Sequence, residues 1–185
     1  MKIVCLGDSI TWGFPWGPEQ SWVKLAADST GIEMINKGVN GETTDNLRLR
    51  FARDVILLEP SHVIIMIGTN DASFDPSLKK YANNCHAMIE SAKSANIKPA
   101  LGLPIPSNDF NLENQLEEYR HWIRDYAAAN EIAVLDFSGA FRGEKEQLDS
   151  DLLIDEVHPS KRGYRKMAGE AVLFINYWFQ NVNLI

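Results

Sequence analysis

The sequence predicts an α/β domain built on a parallel sheet. Three observations predict it: five short β-rich runs, each followed by Gly, Pro, Asn, Asp or Ser; helical periodicity between them; and an alternation of the two with no repeat, linker or low-complexity stretch. Parallel neighbours need a crossover connection, which a helix supplies. At 185 residues the chain fits one domain, 1–185, long enough to bury most of its apolar surface without staples or a partner.

The first run, Ile3–Leu6, is continuously apolar, as suits a strand covered on both faces, and breaks off into Gly7, Asp8, Ser9 and Thr11. Taken alone, Ser9 reads as the cap of a helix beginning at Ile10, with Asp8 holding the turn. Trp22 falls on a helix running from Glu19 and reads as core. Glu33–Asn36 is the second strand, followed by "NKGVNGE", residues 36 to 42. Leu47, Phe51, Val55 and Leu58 then trace a helical stripe. The third strand, His62–Ile67, opens into the loop Gly68-Thr69-Asn70-Asp71. Asp75 with Pro76 signals the start of the helix carrying Leu78, Tyr81, Cys85, Met88 and Ala92. Pro99–Leu103, the fourth strand, leaves through "LPIPSNDF" (103 to 110), whose two prolines suit a semi-rigid loop. Leu116, Tyr119, Ile123 and Tyr126 mark the next helix and Ile132–Asp136 the last strand. After Pro159, with Ser160 as cap, a final helix buries Tyr164, Met167, Ala171, Phe174 and Trp178 against the sheet.

The net charge of -7 argues against nucleic acid or an anionic membrane as partner, and "SKRGYRK" (160 to 166) is too short to outweigh it. That stretch reads as a solvated helix face. The apolar run after the amino-terminal Met-Lys is too short for a signal-peptide core, and none approaches membrane-spanning length. A cytoplasmic location without stable membrane insertion is the resulting expectation. Cys5 and Cys85 lack metal-type spacing and read as buried free thiols.

Ligands of open α/β sheets sit beyond the carboxyl ends of the strands. There the sequence places a serine, two Gly-bearing turns, an amide, a carboxylate and an imidazole, the inventory that acyl transfer from an ester needs. A serine hydroxyl needs a base, and His158 is the natural candidate: His62 begins a strand at the opposite end of the sheet, while His86 and His121 lie in helices. Asp155 can fold back within one turn to bond one ring nitrogen and leave the other facing Ser9. Pro159 keeps His158 extended. The N–H groups of Ser9 and Gly41 and the Asn70 amide would give three donors for an oxyanion. Gly38 reads as a turn glycine. Trp12, Phe14 and Val157 are the candidate substrate-binding residues, with Trp16 beside them; Leu152, Leu153 and Ile154 form either a wall beside the imidazole or core. Each residue alone has a structural alternative, a cap, a turn or a surface pair. Their joint occurrence at one sheet edge favours catalysis.

Gly7-Asp8-Ser9-Ile10, Asn36-x-Gly38-x-x-Gly41, Gly68-x-Asn70-Asp71 and Asp155-x-x-His158-Pro159, in this order, resemble the four sequence blocks of the SGNH hydrolases, the GDSL esterase/lipase family. The resemblance implies Ser9 as nucleophile, Gly41 and Asn70 as oxyanion partners, His158 as base and Asp155 as its orienter. It also implies a flavodoxin-like three-layer α/β/α sandwich with a five-stranded parallel sheet in the order 2-1-3-4-5, and no metal or organic cofactor. Glu156-Val157 departs from the small residue many relatives carry, setting an extra carboxylate beside the triad. The expected activity is hydrolysis of small acyl esters, either carbohydrate acetates or short-chain, aryl or lysophospholipid esters. The alternative is a non-catalytic flavodoxin-like module that binds a small ligand or signals. A receiver would want acidic pairs and a Lys that are missing here, and Asp8 would repel an FMN phosphate. A metal-dependent phosphodiesterase lacks the necessary His and carboxylate clusters.

Overall fold

The computed structural model describes residues 1–142 and 148–180. Strands β1 (Lys2–Gly7), β2 (Glu33–Gly38), β3 (His62–Met66), β4 (Lys98–Leu103) and β5 (Ala133–Asp136) form one sheet. Every pairing is parallel, in the order β2-β1-β3-β4-β5. The central strands are covered on both faces, hence their unbroken apolar runs. Val4, Leu6, Val63, Ile65 and Leu101 face one core, while Ile3, Cys5, Ile64, Met66 and Ala100 face the other. The edge strands β2 and β5 are only half-buried.

Helices cover both faces, so the architecture is a three-layer α/β/α sandwich. On one face lie α3 (Thr44–Asp54), α5 (Leu78–Ser94) and α6 (Phe110–Asn130); on the other, α2 (Trp22–Thr30) and α7 (Lys161–Gln180). Two short helices sit at strand tips, α1 (Ser9–Trp12) after β1 and α4 (Thr69–Phe74) after β3.

Local details differ from the sequence expectation for identifiable reasons. The helix expected from Glu19 is a 3-10 turn, Pro18–Gln20, followed by α2, because Ser21 caps α2 by accepting the Lys24 N–H at 3.2 Å. Trp22 is fully buried core. The stripe from Leu47 to Leu58 divides into α3 and a 3-10 turn, Ile56–Leu58. Gly68-Thr69-Asn70-Asp71 opens a helix rather than a loop, and Asp75 closes that helix while Ser77 caps the next one. Ser160 Oγ accepts the Gly163 N–H at 3.2 Å at the start of α7. In the following stretch Gly163 and Tyr164 are buried, while Lys161, Arg162, Arg165 and Lys166 are exposed. Cys5 and Cys85 are buried free thiols whose pKa values burial raises. Among the described residues no helix is long and apolar enough to cross a membrane.

Candidate active site

The site is assembled at the carboxyl ends of β1, β2 and β3, with a loop from just before α7 completing it. At the tip of β1, Asp8 takes the capping position, its Oδ1 accepting the Ile10 N–H at 2.9 Å. Ser9 is therefore the first residue of α1 and not its cap, which leaves its hydroxyl available. Its N–H is one of those that no intrahelical carbonyl can reach. Burial pushes the Asp8 carboxyl up to about 7; the Ile10 N–H pulls it down and the Asp71 charge adds to the rise.

Ser9 Oγ lies 3.1 Å from His158 Nε2, and His158 Nδ1 lies 2.8 Å from Asp155 Oδ2. Asp155 Oδ1 also accepts the N–H groups of Val157 at 2.9 Å and His158 at 2.7 Å. Burial raises the Asp155 carboxyl, but these donors and the imidazole outweigh it and hold the group below the usual carboxylate range. With Nδ1–H donating to Asp155, Nε2 carries the lone pair that faces Ser9.

Gly41 sits at φ +78° in the loop after β2, a conformation that favours glycine, with open space where a Cβ would stand. Gly38 is more than a turn glycine. It ends β2, and a Cβ there would strike the backbone of Trp12 and Asp8, so its lack of a side chain lets β2 and α1 meet. Asn70 Nδ2 donates to Glu42 O at 2.8 Å, which fastens the start of α4 to the Gly41 loop. Asp71 fastens it again, accepting the Thr44 N–H at 3.0 Å and its hydroxyl at 2.5 Å. Burial raises the Asp71 carboxyl despite those bonds.

The Phe14 ring packs on His158, centroids 4.6 Å apart, with about a third of Phe14 exposed. Its segment is fixed by Tyr164 OH donating to Phe14 O at 2.9 Å and Trp16 Nε1 donating to Pro159 O at 3.2 Å. Lys161 Nζ stands 5.0 Å from the Trp16 ring centre. Trp12 is half-buried at the end of α1. Beside the imidazole opens a cleft of about 740 Å3 lined by Asn108, Ser150 and residues 153 to 158, Val157 among them. Leu152 and Leu153 belong to the core, whereas Ile154 is 44% exposed on that cleft. Glu156 is exposed on the rim between this cleft and a second of about 540 Å3 at Ala72, Pro76 and Leu112. The other histidines lie elsewhere: His62 is buried against Trp178 and Phe179, which drives its pKa down to about 4, His86 faces Tyr126, and His121 folds onto Glu117 O. Among the described residues no three His, Cys, Asp or Glu side chains converge as a metal ion would require.

Sequence reasoning missed the buried arginines that brace this edge. Arg50 donates to Gly7 O at 3.1 Å, Lys37 O at 2.9 Å and the Glu42 carboxylate at 2.6 Å, joining the ends of β1 and β2 to the Gly41 loop. Arg120 donates to Pro104 O at 3.2 Å and Glu113 Oε1 at 2.6 Å. A signal was present: both arginines occupy apolar helical stripes, with Leu47 and Phe51 in one and Leu116, Tyr119 and Ile123 in the other.

Residues 5–166 match the GDSL-like lipase/acylhydrolase family. Among curated proteins, the chain is 32% identical over 133 residues to the uncharacterized lipoprotein YqeF of Bacillus subtilis, covering 65% of this chain and 55% of that protein. It is 29% identical over 153 residues to an acetylxylan esterase of Geobacillus stearothermophilus, covering 75% and 69%. The chain thus spans little more than half the length of the first of these relatives. A solved G-D-S-L family lipolytic protein of Desulfitobacterium hafniense superimposes with a TM-score of 0.87 at 36% identity, covering 94% of this chain and 98% of that one.

Proposed function

The chain belongs to the GDSL-like lipase/acylhydrolase family, and on that premise we propose that it is a serine esterase acting on small acyl esters through a covalent intermediate on Ser9. The observation that carries this reading is the contact of Ser9 Oγ with His158 Nε2 at 3.1 Å, across 149 residues of chain, with His158 Nδ1 held on Asp155 at 2.8 Å.

In the proposed reaction Ser9 Oγ attacks the ester carbonyl carbon while its proton passes to His158 Nε2, and Asp155 stabilises the imidazolium formed. The carbonyl oxygen becomes an oxyanion that the N–H groups of Ser9 and Gly41 and the second Asn70 amide hydrogen can meet. Collapse expels the alcohol, which takes the proton from His158, and leaves acyl-Ser9. Water repeats the sequence, giving up a proton to His158, and the carboxylic acid departs with Ser9 restored. Phe14, Trp12 and Val157 are the proposed walls for the ester. The resemblance to an acetylxylan esterase makes acetylated sugars the first substrates to compare with p-nitrophenyl acetate and butyrate.

The test is a fluorophosphonate followed by mapping of the adduct by mass. Labelling of Ser9, lost in Ser9→Ala together with ester turnover, is the expected result; unlabelled protein, or equal turnover in Ser9→Ala, would remove the nucleophile.

A further inference from the structure

The loop carrying Asp155 and His158 is held mainly by hydrogen bonds, because residues 154 to 156 are exposed and residues 157 and 158 only half-buried. Within the loop, Asp155 Oδ1 gathers the N–H groups of Val157 and His158, and the Ile154 N–H donates to His158 O at 2.9 Å. From outside, the Glu156 carbonyl accepts the Ser107 hydroxyl at 2.9 Å and the Asn108 N–H at 3.0 Å. That carbonyl lies between Asp155 and His158, the pair that presents Nε2 to Ser9.

Ser107 is buried and is itself anchored. Its hydroxyl oxygen accepts the Asp109 N–H at 3.0 Å and its own N–H donates to Glu113 Oε2 at 2.8 Å. Glu113 Oε1 accepts from Arg120 at 2.6 Å and from Arg142 at 3.1 Å. Arg120 is completely buried and donates to the Pro104 and Ile105 carbonyls at 3.2 and 3.4 Å, so it also sets the course of the connection from β4 to α6. A continuous path of bonds therefore runs from the buried face of α6 through Glu113 and Ser107 to the apex of the catalytic loop.

We propose that Ser107 is a positioning residue: its hydroxyl, anchored through Glu113 to the Arg120 guanidinium, fixes the Asp155–His158 loop so that the imidazole stays in reach of Ser9. The proposal rests on the esterase reading above. In a loop with so little burial the register of the imidazole and the Ser9 oxygen depends largely on such hydrogen bonds, and misplacement on the ångström scale is enough to cost rate.

The experiment compares wild type, Ser107→Ala and Ser107→Thr. For p-nitrophenyl acetate, Ala is expected to lower kcat about tenfold while changing KM less than about twofold, and Thr, which keeps the hydroxyl, to recover most of the loss. In parallel, nitrogen NMR of the His158 ring reads its tautomer without needing turnover. Wild type and Thr should show the Nδ1-protonated ring and Ala a mixture. A Ser107→Ala protein with wild-type kcat and an unchanged His158 spectrum overturns the proposal, as does a Thr variant impaired as deeply as Ala. Wild type that neither turns over esters nor labels at Ser9 overturns the esterase reading instead, and the ring spectra then decide the Ser107 question alone.

Discussion

The Asn70 side chain donates to the carbonyl oxygen of Glu42 at 2.8 Å, so the amide proposed to meet an oxyanion is itself tied to the loop of the neighbouring donor, Gly41. Glu42 is in turn ion-paired with buried Arg50 at 2.6 Å, and Arg50 reaches the last residue of β1 at Gly7 O. The three strand ends that bear Ser9, Gly41 and Asn70 thus share one brace. Pre-set donors of this kind stabilise charge without reorganising during reaction.

Asn70→Ala removes a donor and the tie to Glu42 together. Turnover is expected to fall about 100- to 1,000-fold, or about 2.7–4 kcal/mol, with KM little changed. Steady-state kinetics on p-nitrophenyl acetate check this; a rise in KM at constant kcat would assign Asn70 to ground-state binding.

Gly41→Ala tests the backbone rather than the space, because a Cβ there meets nothing within 4 Å while φ is +78°. An L-residue in that region costs about 1–2 kcal/mol. A melting temperature lower by a few degrees is expected, about 2–4 °C per kcal/mol at this chain length, accompanied by a loss in kcat as the loop shifts its N–H. An unchanged kcat would take Gly41 out of the oxyanion set.

Phe14→Ala should separate stability from catalysis. The ring is already about a third exposed, so thermal stability should change little, but it leaves one face of His158 open. We expect a higher KM and a weakened preference between butyrate and acetate esters, measured as the ratio of kcat/KM. Identical ratios in both proteins would place the acyl group elsewhere.

Asp8 gives stability a pH dependence with a definite sign. Its folded pKa, pushed up by burial to about 7, exceeds that of an unfolded aspartate at about 4. Between those values the folded state holds a proton the unfolded chain has lost. This contribution is therefore complete below about pH 4 and is lost as pH rises to about 7, at up to about 1.4 kcal/mol per unit. Asp8→Asn lacks it, so melting curves from pH 4 to 8 should show the variant gaining on wild type as pH rises. A constant difference across that range would show that Asp8 is ionised throughout.

Much of the fold was legible because its determinants are local. Strands β1, β3 and β4 lie under helices on both sides, so they advertise themselves as unbroken apolar runs, and the crossovers carry their own periodicity. The edge strand β2 extended two residues past its expected end at Asn36, since Lys37 and Gly38 pair with Leu6 and Gly7 through backbone bonds that side-chain pattern does not encode. Helix α4 escaped notice because six residues cannot display a stripe. The split between Asp8 as cap and Ser9 as first helical residue is a one-residue matter that either side chain could have satisfied.

By itself the sequence determined the alternation of elements, the residue types at each strand tip, and through their order the family. Only the tertiary structure decided which of those residues meet. A contact between positions 9 and 158, or between Ser107 and Glu156, depends on the twist of the sheet and the seating of α6 and α7, to which many distant side chains contribute at once. Arg50 and Arg120 show the reason most plainly. Their charge would be prohibitive in a core, and each is tolerated because folding brings carbonyls from remote segments to its guanidinium, partners that no local pattern names.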